Sequence, residues 1–286
     1  MARRLVAGGH EVVGLARRLT RIPGLAQAPM IDLASPDLAE RVQAAVPRCQ
    51  AIVHAGAALD KEPGSQAVTL VNCRGTQQMV AVAEAWGAAL AFISGVTVVG
   101  TPRALPVDED HPVHPPTVYH ASKVYGEHLV ALAADRGLAA YTLRLTSPVG
   151  PGTPDGRILT VFVRQALAGE PLRLAGSGAR RQDYVDVRDA AAAVEAALER
   201  GALGRFNVAA GSSVSNRELA EAIVERLGST SAVETTGQPD PDEDVRWDVS
   251  IERARGELGW EPRHTLADAI DAAADDARRA GQRRMG

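Results

Sequence analysis

The chain has 286 residues, of which 45% are hydrophobic and 23% are charged, values typical of a globular protein with a sizeable core and unlike those of a disordered chain. A formal net charge of -4 gives no electrostatic reason to expect a nucleic-acid partner, and no apolar stretch is long enough for a membrane span. The first residues lack the apolar core of a signal peptide, so we expect a soluble protein of the cytoplasm.

Short apolar segments alternate with longer amphipathic ones through the first half of the chain. The apolar segments predict strands at 11–16, 51–55, 89–94, 139–145 and 204–208. Apolar residues spaced three and four apart predict helices at about 36–45, 65–87, 118–135 and 189–200. Because strand–helix alternation requires crossover connections, we expect a parallel α/β sheet covered on both faces, with ligands at the carboxyl ends of its strands.

The pattern changes from about residue 146. A loop rich in proline and glycine is followed by helical patterns at 157–168 and 215–227, a glycine-rich turn at 176–178, a polar stretch at 237–244 and two further helical patterns. We expect two units, one over residues 1–146 and a smaller substrate-binding lobe over 147–286. Residues 183–210 are expected to return to the first unit.

Tyr119 and Lys123 open the helix predicted at 118–135. Residues four apart share one helix face, so the phenol and the ammonium can point at the same site. A positive charge nearby stabilises a phenolate, and Lys123 is therefore expected to lower the pKa of Tyr119 so that it exchanges a proton with a carbinol or carbonyl. Lys61 and Lys123 are the only lysines among 31 basic residues, which favours this function over a solvated surface pair.

Several further motifs follow one another in a fixed order: Asp32-Leu33, 53–57, 71–76, Glu127 after the Tyr–Lys pair, Arg144-Leu145, 148–152, 181–189, 206–208 and 258–262. Each motif is weakly specific alone, but together they span nearly the whole chain. In this order the sequence resembles the extended short-chain dehydrogenase/reductases, also called the NAD-dependent epimerase/dehydratase family. The resemblance implies a Rossmann-type, doubly wound parallel sheet with a smaller C-terminal substrate lobe.

The resemblance also implies an activity. We expect an NAD(P)-dependent oxidoreductase or epimerase that transfers a hydride between nicotinamide and a carbinol or carbonyl carbon of a sugar nucleotide or small ketone. Tyr119 would be the general acid and base, Lys123 would also hold the nicotinamide ribose, and Thr97 or Ser94 would orient the substrate oxygen. The expected cofactor-binding residues are Arg17, Asp32, Leu33, His54, Ala55, Gly56, Asn72, Tyr119, Lys123 and Pro148, and the expected substrate-binding residues are Thr97, Ser147, Arg181 and Arg246. The helices at 65–87 and 118–135 are expected to form a homodimer interface.

The start of the chain departs from the family pattern. Residues 2–9 lead directly into the strand at 11–16, without the preceding strand and glycine-rich turn that bind the cofactor pyrophosphate. Loss of that strand would leave two inner sheet edges unpaired. We expect that the natural chain begins upstream. The alternative is a degenerate, non-redox Rossmann protein that acts as a binding or scaffold subunit.

Two further departures concern the substrate. Gly95 stands where the family has a catalytic serine or threonine, and Val96-Thr97 replace the acidic residues of dehydratases, which favours epimerisation or carbonyl reduction over elimination. Gln238 replaces an arginine that binds the substrate diphosphate in nucleotide-sugar enzymes, which favours a smaller ketone or a differently activated sugar without excluding a sugar nucleotide. Arg173, Arg180 or Arg246 could compensate.

The end of the first predicted strand bears on cofactor choice. NAD enzymes place a carboxylate there for the ribose 2′-hydroxyl, whereas this chain has Arg17 and Arg18, which suit a 2′-phosphate. We therefore expect a slight preference for NADP, although the two arginines could equally cap a surface loop. No metal site is expected: Cys49 and Cys73 lack metal-ligand spacing, and the acidic loop 108–111 is expected to be solvated.

Overall fold

The computed structural model describes residues 1–18 and 22–285, with side chains given as far as residue 282. Its helices are α1 (Ala2–Ala7), α2 (Leu38–Ala45), α3 (Gly75–Trp86), α4 (Val118–Asp135), α5 (Ile158–Ala168), α6 (Val187–Arg200), α7 (Asn216–Leu227) and α8 (Leu266–Met285), with short π- or 3₁₀-helical segments at Val68–Arg74, Val96–Val99 and Ala254–Leu258. Its strands are β1 (Ala51–His54), β2 (Ala89–Gly95), β3 (Ala140–Leu145), β4 (Ser147–Val149), β5 (Leu172–Leu174), β6 (Arg181–Asp186), β7 (Gly204–Val208), β8 (Ser213–Ser215) and β9 (Val233–Thr235).

The main sheet is parallel and has the order β1-β2-β3-β7. Residues alternate between its faces: Leu90 and Phe92 of β2 pack with α3 and α4, whereas Ala91 between them belongs to the cluster that contains α6. The sheet is therefore covered on both faces, and the predicted α/β fold class is confirmed.

The strand predicted at 11–16 is wrong as a continuous element. The segment forms only the isolated parallel bridges Val13–Gln27 and Ala16–Met30. Within the described residues, β1 pairs with β2 on one edge and with no strand on the other. The segment at 11–16 makes only scattered backbone hydrogen bonds with residues 26–31, such as Gly14 N–H to Gln27 and Ile31 N–H to Ala16, and these are too few to define a continuous strand.

A second hydrophobic cluster is formed by α5, α7 and α8 together with β5. Helix α7 begins with a complete capping box, in which Ser215 and Glu218 satisfy each other's backbone N–H groups. Residues between Trp247 and Trp260 pack instead with α6 and the main sheet, a return to the first unit that the sequence pattern did not indicate.

The acidic loop 108–111 is solvated only in part: Asp108 and Asp110 are exposed, as expected, whereas Glu109 and His111 are buried. Glu109 is 3% exposed and His111 7% exposed. The Glu109 carboxylate accepts a hydrogen bond from the backbone N–H of Asn207 at 2.7 Å, and the Arg253 guanidinium lies 3.8 Å away. Partners distant in sequence therefore draw the loop onto the end of the sheet.

Candidate active site

Helix α4 presents Tyr119, Lys123 and Glu127 on successive turns of one face. The helix lies close to β2 because residue 126 is glycine. A Cβ at Gly126 would fall 2.4 Å from Cζ of Phe92, so only glycine allows the ring to pack against the helix backbone here. This close approach brings the Lys123 side chain over the end of β2.

Lys123 is buried, with 5% of its surface exposed. Its Nζ donates to the carbonyl of Ile93 at 2.9 Å and lies 5.0 Å from the centroid of the Phe92 ring. Burial lowers the pKa of Lys123 to about 8, against the charge of Glu127, which raises it. Lys123 is therefore mostly charged at neutral pH, although its pKa lies only a little above that pH.

Tyr119 is half-buried, and its ring centroid lies 5.9 Å from the Lys123 Nζ. Burial raises the pKa of the Tyr119 phenol, and the charge that opposes this rise is that of Arg157, at the start of α5. The net shift is upward because desolvation outweighs the charge of Arg157, and the expected lowering by Lys123 stays a prediction. Sequence reasoning also missed Arg157, which no motif marks and which only the docking of α5 brings near Tyr119.

The two candidate hydroxyls for the substrate oxygen have different environments. The Ser94 hydroxyl is buried and donates to Glu127 at 2.6 Å. Thr97 is exposed, and its Oγ1 lies 3.4 Å from where a Cβ at Gly95 would stand. Thr97 therefore places a hydroxyl beside the position at which the family pattern has its own, whereas Ser94 is engaged with the protein interior.

A cavity of about 440 Å³ lies between the 13–17 segment and β1. Its wall contains six of the predicted cofactor-binding residues: Arg17, Asp32, Leu33, His54, Ala55 and Gly56. The walls meet closely, since a Cβ at Gly56 would fall 2.4 Å from the Cδ1 of Leu33. An apolar cleft with one carboxylate, one guanidinium and exposed peptide groups suits the adenosine part of a dinucleotide.

The other predicted cofactor-binding residues lie outside the cavity wall. Asn72 is buried, and its amide exchanges two hydrogen bonds with the backbone of Ala58 and donates to Ser122 of α4 at 2.9 Å. Asn72 thus holds α4 against the loop that follows β1. Pro148 is exposed within β4.

His54 ends β1 and is 5% exposed. One ring nitrogen lies 2.9 Å from the hydroxyl of Thr76. Burial, and to a lesser extent the charge of Lys123, lower the pKa of His54 to about 4. A neutral imidazole at this position packs the floor of the cavity and adds no charge beside Lys123.

The predicted substrate-binding residues lie in different parts of the chain. Arg181 is held within the lobe, where its guanidinium donates to Ser213 and pairs with Glu218 at 3.0 Å. The Ser147 hydroxyl lies 3.1 Å from the Gln182 amide, which in its satisfied orientation donates to Ser147 and accepts from Arg180. Arg246 is exposed. Their role in substrate binding stays a prediction.

The parallel sheet and the helix that carries Tyr119 and Lys123 are those of one protein class. The chain belongs to the NAD dependent epimerase/dehydratase family, whose model matches residues 1–209. This result confirms the resemblance stated from the sequence motifs.

Individual members of the class are similar over nearly their full length. The UDP-glucose 4-epimerase of Mycolicibacterium smegmatis is 32% identical over 290 residues, which cover 93% of this chain and 90% of that protein. The Thermus thermophilus UDP-glucose 4-epimerase, solved in complex with NAD, has a TM-score of 0.83 and 25% identity, covering 97% of this chain and 94% of that one. RMD from Pseudomonas aeruginosa, complexed with NADPH, has a TM-score of 0.78 and 23% identity, covering 91% and 92%.

Proposed function

We propose that the chain is an NAD(P)-dependent epimerase that acts at a carbinol carbon of a sugar nucleotide. The observation that carries this proposal is the Tyr119–Lys123 pair on α4, with the Thr97 hydroxyl on the turn packed against that helix. The full-length similarity to a UDP-glucose 4-epimerase supports a sugar nucleotide over a small ketone. A bound nicotinamide would supply the acceptor and donor of the hydride.

Tyr119 would move the proton. Since burial raises its pKa, the phenol is protonated at neutral pH and can donate to a carbonyl oxygen. The reverse step, removal of a proton from a carbinol, requires the phenolate, which the positive charges of Lys123 and Arg157 would stabilise. Thr97 would donate to or accept from the same substrate oxygen and so fix its position.

The cavity would hold the adenosine end of the cofactor. Asp32 and Leu33 would flank the base, and the peptide groups of 55–57 would face the middle of the dinucleotide. Relatives of known structure have been solved with NAD and with NADPH. We propose a slight preference for NADP in this chain because Arg17 lies in the cavity wall and Arg18 follows it.

Elimination chemistry is less well supported than epimerisation. The turn after β2 carries Val96 and Thr97, neither of which can act as the carboxylic acid that an elimination requires. Val96 is buried, and Thr97 offers only a hydroxyl.

Assembly and location remain predictions. Tyr125 and Leu132 are exposed large side chains on α4, 40% and 38% accessible, and they support a homodimer that uses this helix. Within the described residues no helix is both long and apolar enough to cross a bilayer. The cytoplasmic location is not tested by the structure.

The deciding experiment supplies purified protein with UDP-glucose and either NAD or NADP and measures UDP-galactose. We expect conversion, and we expect Tyr119→Phe to lower kcat by about 10²- to 10⁴-fold with an unchanged melting temperature. Tyr125→Phe makes the same chemical change on the exposed side of α4 and should leave kcat unchanged. Equal activity of Tyr119→Phe and wild type would refute the proposal. Failure of the folded protein to bind either cofactor would support the non-redox binding or scaffold role.

A further inference from the structure

Three side chains from three elements meet behind the Tyr119–Lys123 pair. The Glu127 carboxylate of α4 accepts from Arg144 Nε at 3.0 Å and from its second guanidinium nitrogen at 2.6 Å. It also accepts from the Ser94 hydroxyl at 2.6 Å. We call these three residues the Glu127 cluster. Its charged side chains are almost completely buried, with 1% of Arg144 and 4% of Glu127 exposed.

The sheet register explains why the cluster forms. Ser94 of β2 and Arg144 of β3 are direct neighbours across the parallel pair. Ser94 also follows Leu90 and Phe92 at a spacing of two, so all three point to the face covered by α4. Glu127 meets both side chains from that helix. The cluster therefore joins the carboxyl ends of two strands to the catalytic helix.

Fold stability alone does not account for such a cluster. Removal of two charges from water costs several kcal/mol each, and replacing a buried ion pair with apolar side chains of similar volume is often neutral or stabilising. Glu127 nevertheless lies one helical turn after Lys123, and its charge acts on that lysine. The position of the pair points to a role in the site.

We propose that Glu127 is a positioning residue: held by Arg144 and Ser94, its carboxylate provides the counter-charge that keeps the Lys123 ammonium charged beside Tyr119. The catalytic consequence rests on the proposed function, whereas the effect on Lys123 itself does not.

The charges around Lys123 support this assignment. On the β1 side His54 is neutral near pH 7, because its pKa is lowered to about 4. On the β2 side the Lys123 ammonium donates to the Ile93 carbonyl and lies over the Phe92 ring, neither of which carries a charge. The Arg144 guanidinium on β3 is bound to Glu127, and Arg205 on β7 lies 3.9 Å from the same carboxylate. Among these groups Glu127 is the only anion that opposes the desolvation of Lys123.

The chain allows a direct test, because Lys61 and Lys123 are its only lysines. Protein made with ¹³C,¹⁵N-lysine gives two side-chain signals, whose titration is followed by NMR without substrate or cofactor. In wild type, Lys123 should titrate near its pKa of about 8. In Glu127→Gln the midpoint of Lys123 should fall by about one pH unit or more.

Asp189→Asn is the matched control. Asp189 is also a buried carboxylate, 2% exposed, but it binds the backbone N–H groups of Arg263 and His264 rather than the site. The Asp189→Asn substitution should alter the stability of the protein without changing the midpoint of the Lys123 titration. If Glu127→Gln does not fold, Glu127→Asp retains the charge at a shorter reach and should give a midpoint slightly below that of wild type. An unchanged Lys123 midpoint in folded Glu127→Gln, or a midpoint above that of wild type in Glu127→Asp, would overturn the proposal.

The second measurement is the pH dependence of kcat. If the charged ammonium is needed, the basic limb of the kcat–pH profile should move to lower pH in Glu127→Gln, by the same interval as the NMR midpoint. At pH 7.5 a fall in midpoint from about 8 to about 7 takes the charged fraction from about three-quarters to about one-quarter. A shifted NMR midpoint in a protein with no epimerase activity would refute the proposed function but retain this inference.

Discussion

Gly126→Ala tests the close packing of α4 on the sheet. The added Cβ would lie 2.4 Å from Cζ, 2.9 Å from Cε1 and 3.1 Å from Cε2 of Phe92. Carbon atoms at rest are about 3.5–4.0 Å apart, so the ring and the helix must separate by about 1 Å. Phe92 is 2% exposed, with the Lys123 Nζ 5.0 Å from its ring centroid, and has little room to move.

Two opposing energies set the size of the effect. Alanine in place of glycine stabilises a helix interior by about 1 kcal/mol. Overpacking a filled core costs about 1–3 kcal/mol. We therefore expect Gly126→Ala to reduce the free energy of unfolding by up to about 2 kcal/mol. The displacement should also lengthen the hydrogen bond from the Lys123 Nζ to the Ile93 carbonyl. Because this bond helps to hold Lys123 beside Tyr119, kcat should fall even where the protein is fully folded.

The assay is urea denaturation with Gly256→Ala as the control. A Cβ at Gly256, within the π-helical Ala254–Leu258 segment, meets no atom within 4 Å. That variant should gain a few tenths of a kcal/mol to about 1 kcal/mol. If Gly126→Ala gains as much as Gly256→Ala, the contact between Phe92 and the helix backbone is not as close as the geometry requires, and the reasoning fails.

Two further predictions concern Asp183, a buried carboxylate of β6, and Thr97, on the turn after β2. Burial raises the pKa of Asp183 from 3.8 to about 6, so its contribution to stability is complete below pH 3.8 and is lost as the pH rises through about 6. Asp183→Asn should remove that dependence, and equal slopes for the two proteins in urea unfolding between pH 4 and 7 would contradict it. Thr97→Ala should lower kcat/KM for the epimerisation substrate by about 10- to 100-fold. Gly95→Ser should restore part of this loss because Gly95 has ordinary extended backbone, with φ of -135°; no rescue would place the substrate oxygen elsewhere.

Local sequence pattern was sufficient for the elements that carry the catalytic pair. The helix predicted at 118–135 has the same bounds in the structure, and the strand at 204–208 likewise. Both follow from apolar spacing, which each segment carries within itself. The placement of Tyr119 and Lys123 on one face of α4 therefore needed no tertiary information.

The Ser94 hydroxyl was a candidate that period-two alternation could have resolved. Ser94 follows Leu90 and Phe92 at even spacing, and these two face α3 and α4. A residue on that face points toward the helices, in agreement with the hydrogen bond that the Ser94 hydroxyl donates to Glu127 of α4.

The burial of Glu109 within the acidic loop could not be predicted from the sequence. Glu109 is matched by Asn207 and Arg253, which lie 98 and 144 residues further along the chain. Three charged residues within a four-residue loop are typical of a solvated turn, and the partners come from β7 and from the return of the chain after Trp247. The proximity of Arg157 to Tyr119 could not be predicted for the same reason, because it depends on how α5 packs against the rest of the chain.

The pKa shifts of Tyr119 and Lys123 have one cause and opposite directions. Burial raises the pKa of the phenol and lowers that of the ammonium, because it penalises whichever form is charged. A phenolate beside an ammonium is neutral as a pair, so burial penalises the pair less than either ion alone. The neutral Tyr119 that donates a proton to a carbonyl leaves behind a phenolate whose charge Lys123 balances. In the proposed function the Glu127 cluster would keep that balancing charge present, and the site could then run the proton transfer in both directions, as epimerisation requires.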